Sequence, residues 1–232
     1  MPQLLISRFL GYLLLAAATA SAETIFSQFG PSPYFQAGTG LGVNGSDVDP
    51  SCLTPGVVCE QDAASQFQPL ITSPLASIDI ALLWLSGTDS FIVDLAADNA
   101  GLPGSVLESF TVTGIPSGGG TIITLDSTLH PLLSSGAQYW LEVFPGNPSL
   151  GGGWNLSTLS SGNAPYFSHN HGASWTPTTQ GPEAFDVNGT VPEPPAGLFL
   201  IAAACVLIAR GMISSRGRTP WLRAVRRTIQ RS

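Results

Sequence analysis

Residues 78–95 read Ile-Asp-Ile-Ala-Leu-Leu-Trp-Leu-Ser-Gly-Thr-Asp-Ser-Phe-Ile-Val-Asp-Leu, two apolar segments separated by the polar turn 86–89. In each segment alternate positions are large and apolar: Ile78, Ile80, Leu82 and Trp84, then Phe91, Val93 and Leu95. Alternation with a period of two is typical of strands that bury one face. These residues therefore predict two consecutive β-strands.

Short apolar or alternating segments continue along the chain, separated by turns rich in Gly, Pro, Asn and Asp. Further strands are predicted at 106–112, 121–125, 139–144, 154–159 and 184–187. No long amphipathic helical pattern interrupts them. Many short strands at near-regular spacing predict an all-β fold, an antiparallel β-sandwich or jelly roll, with a closed barrel as the alternative.

The charges of the chain are strongly segregated. Its formal net charge is −7, from 15 acidic and 8 basic residues. All the basic residues are arginines, namely Arg8 and seven from Arg210 onward, whereas the acidic residues lie between Glu23 and Glu193. Without a cation from residue 9 to 209, this part of the chain cannot neutralise phosphates, which excludes a nucleic-acid partner. Lysine-based catalysis and arginine clamps are excluded there for the same reason.

The N-terminus has the composition of a secretory signal. Arg8 precedes an apolar stretch that ends in the small residues Ala20-Ser21-Ala22. This order predicts a signal peptide over residues 1–22 with cleavage after Ala22, and an exported protein. An acidic ectodomain over residues 23–190 follows.

The C-terminal part of the chain has the composition of a membrane segment. Residues 196–209 carry no charge and follow a proline-rich turn, so a single transmembrane helix is predicted within 191–213. The arginines after it, Arg210, Arg216 and Arg218, predict that the tail 214–232 lies in the cytoplasm. Within that tail, residues 219–232 fit either a basic amphipathic helix on the membrane or a disordered basic tail.

This C-terminal arrangement resembles a known sorting signal. Val191-Pro192-Glu193-Pro194, then a short apolar helix, then an arginine cluster, is similar to the PEP-CTERM signal of exported bacterial proteins. The resemblance implies recognition by an exosortase-type enzyme. It also implies anchoring in the inner membrane before processing, and afterwards transfer to the cell surface or the exopolysaccharide matrix.

A second resemblance covers the ectodomain. The segments 98–108, Asp-Asn-Ala-Gly-Leu-Pro-Gly-Ser-Val-Leu-Glu, and 132–141, Leu-Leu-Ser-Ser-Gly-Ala-Gln-Tyr-Trp-Leu, are followed by His-Gly-Ala-Ser-Trp at 171–175. Together they are similar to the choice-of-anchor extracellular domains, type R in particular. That family implies a β-sandwich surface domain and supplies no catalytic residues, so no enzymatic activity is expected.

The ectodomain contains two cysteines, Cys52 and Cys59, and the oxidising environment of an exported protein favours a disulfide between them. Their spacing fits neither a zinc site nor a redox motif. Cys205 lies in the apolar tail segment and is expected to be only a small apolar side chain.

The sequence offers only weak candidates for metal or cofactor chemistry. Gly40-Leu-Gly-Val-Asn-Gly45 has dinucleotide-binding spacing, but no strand leads into it, and a flexible loop is expected instead. Oxygen ligands for Ca²⁺ could come from two groups, Asn44, Asp47 and Asp49, or Asp94, Asp98 and Asn99, although turn capping explains these residues better. His169 and His171 could share a strand face and bind a metal with an acidic residue, but an exposed loop without metal is expected.

Aromatic residues are frequent late in the ectodomain. Trp154, Tyr166 and Trp175 are candidates for contact with a sugar, since flat rings beside Asn and Asp suit sugar binding; burial in the core is the competing interpretation. The sequence thus predicts a non-enzymatic surface or matrix protein with a capacity for carbohydrate or matrix adhesion. The alternative is an exported glycan hydrolase with a pair of carboxylates that the sequence does not identify.

Overall fold

The computed structural model describes residues 20–192, and residues 22–191 form one compact unit. Within the described range the chain forms thirteen β-strands and one short 3-10 helix at Pro50–Leu53, with no α-helix. The prediction of an all-β fold is therefore confirmed.

Seven of the strands form the first sheet, called sheet 1. They are β1 (Ala20–Ser27), β2 (Phe35–Asn44), β4 (Ser73–Ser86), β7 (Thr121–Asp126), β8 (Leu132–Leu133), β10 (Gly151–Ser157) and β13 (Phe185–Pro192). The order is β1-β13-β4-β10-β2, and the central strand β4 also pairs with β7 and β8. The long strand β4 therefore organises this sheet.

The other six strands form sheet 2. They are β3 (Asp62–Phe67), β5 (Phe91–Asn99), β6 (Leu102–Val112), β9 (Tyr139–Pro145), β11 (Tyr166–Ser168) and β12 (Thr176–Pro177). The order is β12-β11-β3-β9-β5-β6, and neighbouring strands are antiparallel. β5 and β6 form a hairpin whose two-residue turn, Ala100-Gly101, has φ values of 55° and 86°, the left-handed geometry that such tight hairpins require.

The two sheets form a β-sandwich, the first of the two architectures that the sequence indicates. Apolar side chains from both sheets belong to one buried core, including Ile78, Ile80 and Leu82 from β4 and Val93 and Leu95 from β5. The predicted alternation of these strands is therefore confirmed. Burying each such side chain stabilises the fold by about 1.5–3 kcal/mol.

The strand β9 shows why sheet 2 also buries part of its outer face. Tyr139 points into the core between the sheets, while the next residue, Trp140, belongs to a smaller cluster on the opposite face. Trp140 is fully buried there with Ala64 and Ala96, and the ring of Tyr166 packs edge-on against it at 5.1 Å. The rings of Trp140 and Tyr166 therefore shield the centre of the outer face of sheet 2 from solvent.

The glycine-rich segment 40–45 differs from its prediction. It was expected to be a flexible loop, but Gly40 and Gly42 lie in β2 and pair with Asn155 and Gly153 of β10. Glycine suits these positions because the neighbouring backbone comes close: a Cβ on Gly40 would collide with the carbonyl oxygen of Trp154. In β2 only Leu41 and Val43 alternate as buried apolar residues, and between glycines this pattern is too short to predict a strand.

Most of the two predicted terminal segments lies outside the described residues. Of the predicted signal peptide, only Ala20–Ala22 is described, at the start of β1; of the sorting motif, Val191 and Pro192 are described, at the end of β13. The structure does not describe Glu193, Pro194 or Cys205, nor the arginines from which the membrane topology is predicted, Arg210, Arg216 and Arg218. Between residues 20 and 192, no helix is long and apolar enough to span a bilayer.

Candidate functional site

An open cleft of about 320 Å³ on sheet 1 combines carboxylates with aromatic rings. It is lined by Ser27, Phe29, Gly30, Tyr34, Asp79, Ile122 and Asp186. The volume is at the lower end of the range of roughly 300–1,000 Å³ that is usual for small-molecule sites. We call this site the Tyr34 cleft.

The two carboxylates of the cleft are neighbours because of strand pairing. Asp79 on β4 and Asp186 on β13 are direct register partners in an antiparallel ladder. Ile78 and Ile80 on either side of Asp79 point into the core, so Asp79 and its partner emerge on the outer face. The Cβ atoms of such pairs are typically about 4.5–5.5 Å apart. The fold therefore places two acidic groups side by side.

The surroundings of the two carboxylates are unequal. Asp79 accepts hydrogen bonds from Thr124 Oγ1 at 2.6 Å and from Asn188 Nδ2 at 2.9 Å. Oδ1 of Asp186 is buried without a hydrogen-bond partner among the described residues. Burial raises the pKa of Asp186, the charge of Asp79 adds to this effect, and hydrogen bonding from Ser27 and the Phe29 backbone opposes it. Asp186 is thus an acid with a raised pKa beside a hydrogen-bonded carboxylate.

Tyr34 supplies the exposed aromatic face of the cleft. It is 52% exposed, and its ring lies edge-on to Phe29 with the centroids 6.5 Å apart. Its φ of 71° is unusual for a residue other than glycine, and backbone hydrogen bonds to Pro31 and Gly30 hold it in this conformation. Left-handed backbone at such a bulky residue occurs mostly where the fold fixes it, often at functional sites.

Sequence reasoning missed this site, although part of its signal was present. Asp79 and Asp186 each stand between two apolar residues of a predicted strand, which marks them as outward-facing positions. What the sequence did not contain was the pairing of β4 with β13. Nothing in the sequence pattern identified Tyr34 as a site residue, because it lies in the turn between β1 and β2.

The aromatics that were predicted to contact a sugar are mostly covered. Trp154 is fully buried, donates from Nε1 to the carbonyl oxygen of Ala184 at 3.1 Å, and packs against Phe185. It offers no face to a ligand, and this part of the prediction is corrected. Tyr166 and Trp175 are half-buried against the cluster around Trp140.

A group of acidic residues lies on sheet 2. Asp94 of β5 and Glu142 of β9 are direct register partners. Burial raises the pKa of Glu142 to about 7, and the nearby carboxylates of Asp94 and Asp62 contribute to the increase. Burial likewise raises the pKa of Asp62 to about 6. Burial is the main cause of both pKa shifts, and the neighbouring carboxylates add to it.

The two groups of candidate Ca²⁺ ligands have other roles. Asp49 caps the 3-10 helix by accepting from the Ser51 backbone N–H at 2.8 Å, and these contacts lower the pKa of Asp49. Asp98 accepts from Gly101 N and Trp140 Nε1. Turn capping, the competing interpretation, accounts for these two residues. The remaining candidates lie in or beside strands: Asn44 at the end of β2, Asp47 in the following turn, Asp94 in β5 and Asn99 at the end of β5.

His169 and His171 do not share a strand face. Both follow the end of β11 in a short loop, as the exposed-loop interpretation expected. His169 Nδ1 lies 2.6 Å from the carbonyl oxygen of Glu60, and His171 Nδ1 lies 3.3 Å from Oε1 of the same residue. The loop therefore meets an acidic residue from another part of the chain.

The predicted disulfide is confirmed. Cys52 and Cys59 are bonded, with their Cα atoms 5.6 Å apart. The bond closes the segment between the 3-10 helix and β3, directly before Glu60.

No family model matches this sequence, and none of the curated proteins is significantly similar to it.

Proposed function

We propose that this chain is an exported, non-enzymatic protein of the cell surface or extracellular matrix that binds carbohydrate through the Tyr34 cleft. The observation that carries the proposal is the combination, in one open cleft, of an exposed aromatic ring and two carboxylates. Sugars bind to proteins by packing their C–H faces on aromatic rings and by donating hydroxyl hydrogen bonds to acidic side chains. The cleft contains both components.

The environment of the cleft favours neutral sugars over anionic ones. No Arg or Lys lies between residues 9 and 209, and two carboxylates line the cleft, so an anionic polysaccharide would be repelled there. A neutral hexose presents only hydroxyl donors and acceptors and an apolar face. We therefore infer neutral glycan units as the ligand class.

Binding is tested with the purified full-length protein on an array of neutral and acidic oligosaccharides, followed by titration of the best neutral glycan. Tyr34→Ala removes the stacking face and is expected to weaken binding about tenfold, which corresponds to the roughly 1.4 kcal/mol of one good aromatic contact. Val58→Ala is the matched control, since Val58 is 65% exposed and does not line the cleft. Equal affinities of the two variants would contradict the proposal.

The route to the surface is a second part of the proposal. Two sequence features support it, the signal-like residues 1–22 and the Val191-Pro192-Glu193-Pro194 motif before an apolar segment and arginines. An exosortase-type enzyme is the proposed processing partner, acting on protein that is anchored in the inner membrane. Replacing Pro192, Glu193 and Pro194 with Ala is expected to leave unprocessed protein in the inner membrane. Normal release of this variant would refute sorting by the motif.

A hydrolase is the second candidate, and the Asp79–Asp186 pair is what favours it. Retaining glycosidases use two carboxyl groups about 5–5.5 Å apart, and the register pairing of Asp79 with Asp186 brings two carboxyl groups side by side. Against it, Asp79 is engaged by Thr124 and Asn188. A panel of chromogenic glycosides separates the candidates: turnover that both Asp79→Asn and Asp186→Asn abolish would establish hydrolysis, whereas binding without turnover supports adhesion.

A further inference from the structure

We propose that Glu60, Asp62 and His171 bind a divalent transition-metal ion of the zinc class. The three residues come from two distant segments, the start of β3 with the residues just before it, and the loop after β11. Each offers a ligand atom, and these atoms all lie within 4.8 Å of one another. This site is separate from the Tyr34 cleft, and the inference does not depend on the proposed function.

The geometry is close to that of a bound ion. His171 Nδ1 and Glu60 Oε1 are 3.3 Å apart. Two ligands at about 2.0–2.2 Å from a tetrahedral zinc are separated by roughly 3.3–3.6 Å. One ligand pair is therefore already at the required separation, and the third must approach by little more than an ångström.

Asp62 supplies the independent observation that points to a ligand. Its side chain is fully buried, and Oδ1 has no hydrogen-bond partner among the described residues. Its other oxygen, Oδ2, accepts a long hydrogen bond, of 3.3 Å, from the Gly172 backbone N–H. A buried carboxylate oxygen without a partner is costly, and coordination of a cation would satisfy it.

The surrounding charge favours a cation strongly. Asp94 and Glu142 form a second acidic pair close enough to Asp62 for their charges to interact. The sequence has no Lys or Arg between residues 9 and 209. The basic groups beside this cluster are the imidazoles of His169 and His171, and a divalent cation would offset the remaining negative charge.

The loop that carries His171 is held in place before any ion binds. The imidazole packs on the ring of Phe144 with the centroids 5.0 Å apart, and Ser168 Oγ accepts from the Gly172 backbone N–H at 3.0 Å. On the other side of the site, the Cys52–Cys59 disulfide ends one residue before Glu60 and restrains that segment. Such restraint lowers the entropic cost of assembling a site.

The ligand set selects among metals. An imidazole nitrogen with two carboxylates suits Zn²⁺, while Ca²⁺ takes six to eight oxygen ligands. With three protein ligands, a fourth position remains for water or a ligand from outside. Zn²⁺ is therefore expected to bind more tightly than Ca²⁺ or Mn²⁺.

The test is calorimetric titration of ZnCl₂, MnCl₂ and CaCl₂ into full-length protein stripped with EDTA, with thermal unfolding as a second measurement. One saturable Zn²⁺ site is expected, together with a rise in Tm. His171→Ala is expected to weaken Zn²⁺ binding at least tenfold and to fold normally, because its side chain is 64% exposed. His130→Ala is the matched control, since it removes an imidazole that lies outside the three-residue group.

Asp62→Asn tests the buried ligand, and Glu60→Gln provides a milder variant should the Asn variant fail to fold. Both are expected to weaken Zn²⁺ binding by at least tenfold. Absence of saturable Zn²⁺ binding, equal affinities of the His171 and His130 variants, or Ca²⁺ binding tighter than Zn²⁺ binding would overturn the proposal. Glycan binding is measured separately, so its loss or survival does not affect this outcome.

Discussion

The indole Nε1 of Trp140 donates a hydrogen bond to Oδ1 of Asp98 at 2.9 Å. Trp140 is the largest fully buried residue on the outer face of sheet 2, and its N–H has to find an acceptor there. The same carboxylate accepts from Gln138 Nε2 at 3.0 Å and from the backbone N–H of Gly101, in the turn of the β5–β6 hairpin. One acidic side chain thus joins a hairpin turn to a buried aromatic cluster.

Replacing Asp98 with Ala is expected to destabilise the protein by about 1–3 kcal/mol, because it leaves the buried indole N–H without a partner. Urea unfolding monitored by tryptophan fluorescence measures this. Asp126→Ala, at an exposed position of β7, is the control and is expected to change stability by no more than about 0.5 kcal/mol. A similar small effect of both substitutions would contradict a structural role for Asp98.

Gly40 is expected to tolerate no side chain. An added Cβ would meet the carbonyl oxygen and carbon of Trp154, which are backbone atoms that cannot rotate away. Gly40→Ala should therefore destabilise the fold by about 1–3 kcal/mol. This sign is the reverse of the usual gain of roughly 0.5–1 kcal/mol when alanine replaces glycine within a strand.

Gly181→Ala is the matched control for Gly40, since its Cβ would have only Leu156 Cδ1 nearby, at 4.0 Å. It should change stability by no more than about 0.5 kcal/mol. Chemical denaturation of both variants measures these changes in the free energy of unfolding. If Gly40→Ala were as stable as the wild type, the close packing of β2 on β10 would be disproved.

The glycines also explain which strands could be predicted from sequence. β4 and β5 each bury one face. The apolar side chains on that face produce the alternation seen in the sequence, at Ile78, Ile80, Val93 and Leu95. β2 was missed because its alternation is limited to Leu41 and Val43, with glycines at the positions between and beside them. The disulfide could be predicted from two cysteines together with the expectation of export. Local periodicity predicts strands but not their partners.

The candidate sites could not be predicted for the same reason. Asp79 and Asp186 were identifiable as outward-facing, yet their pairing depends on strand order. Glu60 precedes β3, Asp62 is its first residue and His171 follows β11, so the β3–β11 pairing brings them together. The sequence thus identified the acidic residues and histidines, and the topology decides which of them meet.

Removing the disulfide is expected to destabilise the protein by about 2–3 kcal/mol. The bond joins cysteines that are 7 residues apart and reduces the entropy of the unfolded chain by closing that loop. Cys52→Ser with Cys59→Ser is compared with the wild type by urea unfolding, with and without a reducing agent. Reduction should lower the stability of the wild type to that of the double variant and leave the variant itself unchanged. Any further loss in the variant would show that another bond is involved.

Glu183 gives the protein a pH-dependent stability. It has no exposed surface, and neither carboxylate oxygen has a hydrogen-bond partner among the described residues. Burial raises its pKa well above the ordinary value of 4.5. The folded protein therefore keeps Glu183 protonated at pH values where the unfolded chain has released the proton.

The sign of the effect follows from proton linkage. Below about pH 4.5 both states are protonated and the group contributes no pH dependence. As the pH rises from there toward the folded-state pKa, the folded state binds more protons than the unfolded state, so the free energy of unfolding falls. For one carboxyl group the loss is at most about 1.4 kcal/mol per pH unit.

Glu183→Gln binds no proton in either state, so its free energy of unfolding relative to that of the wild type should rise as the pH increases from 4 to 8. All other titrating groups are shared, and the difference between the two proteins isolates Glu183. Urea unfolding at pH 4, 6 and 8 measures this difference. Glu23→Gln, at an exposed site on β1, controls for the loss of one negative charge. If the free energies of unfolding of Glu183→Gln and the wild type changed with pH in parallel across this range, the buried carboxyl group would be ionised in the folded protein.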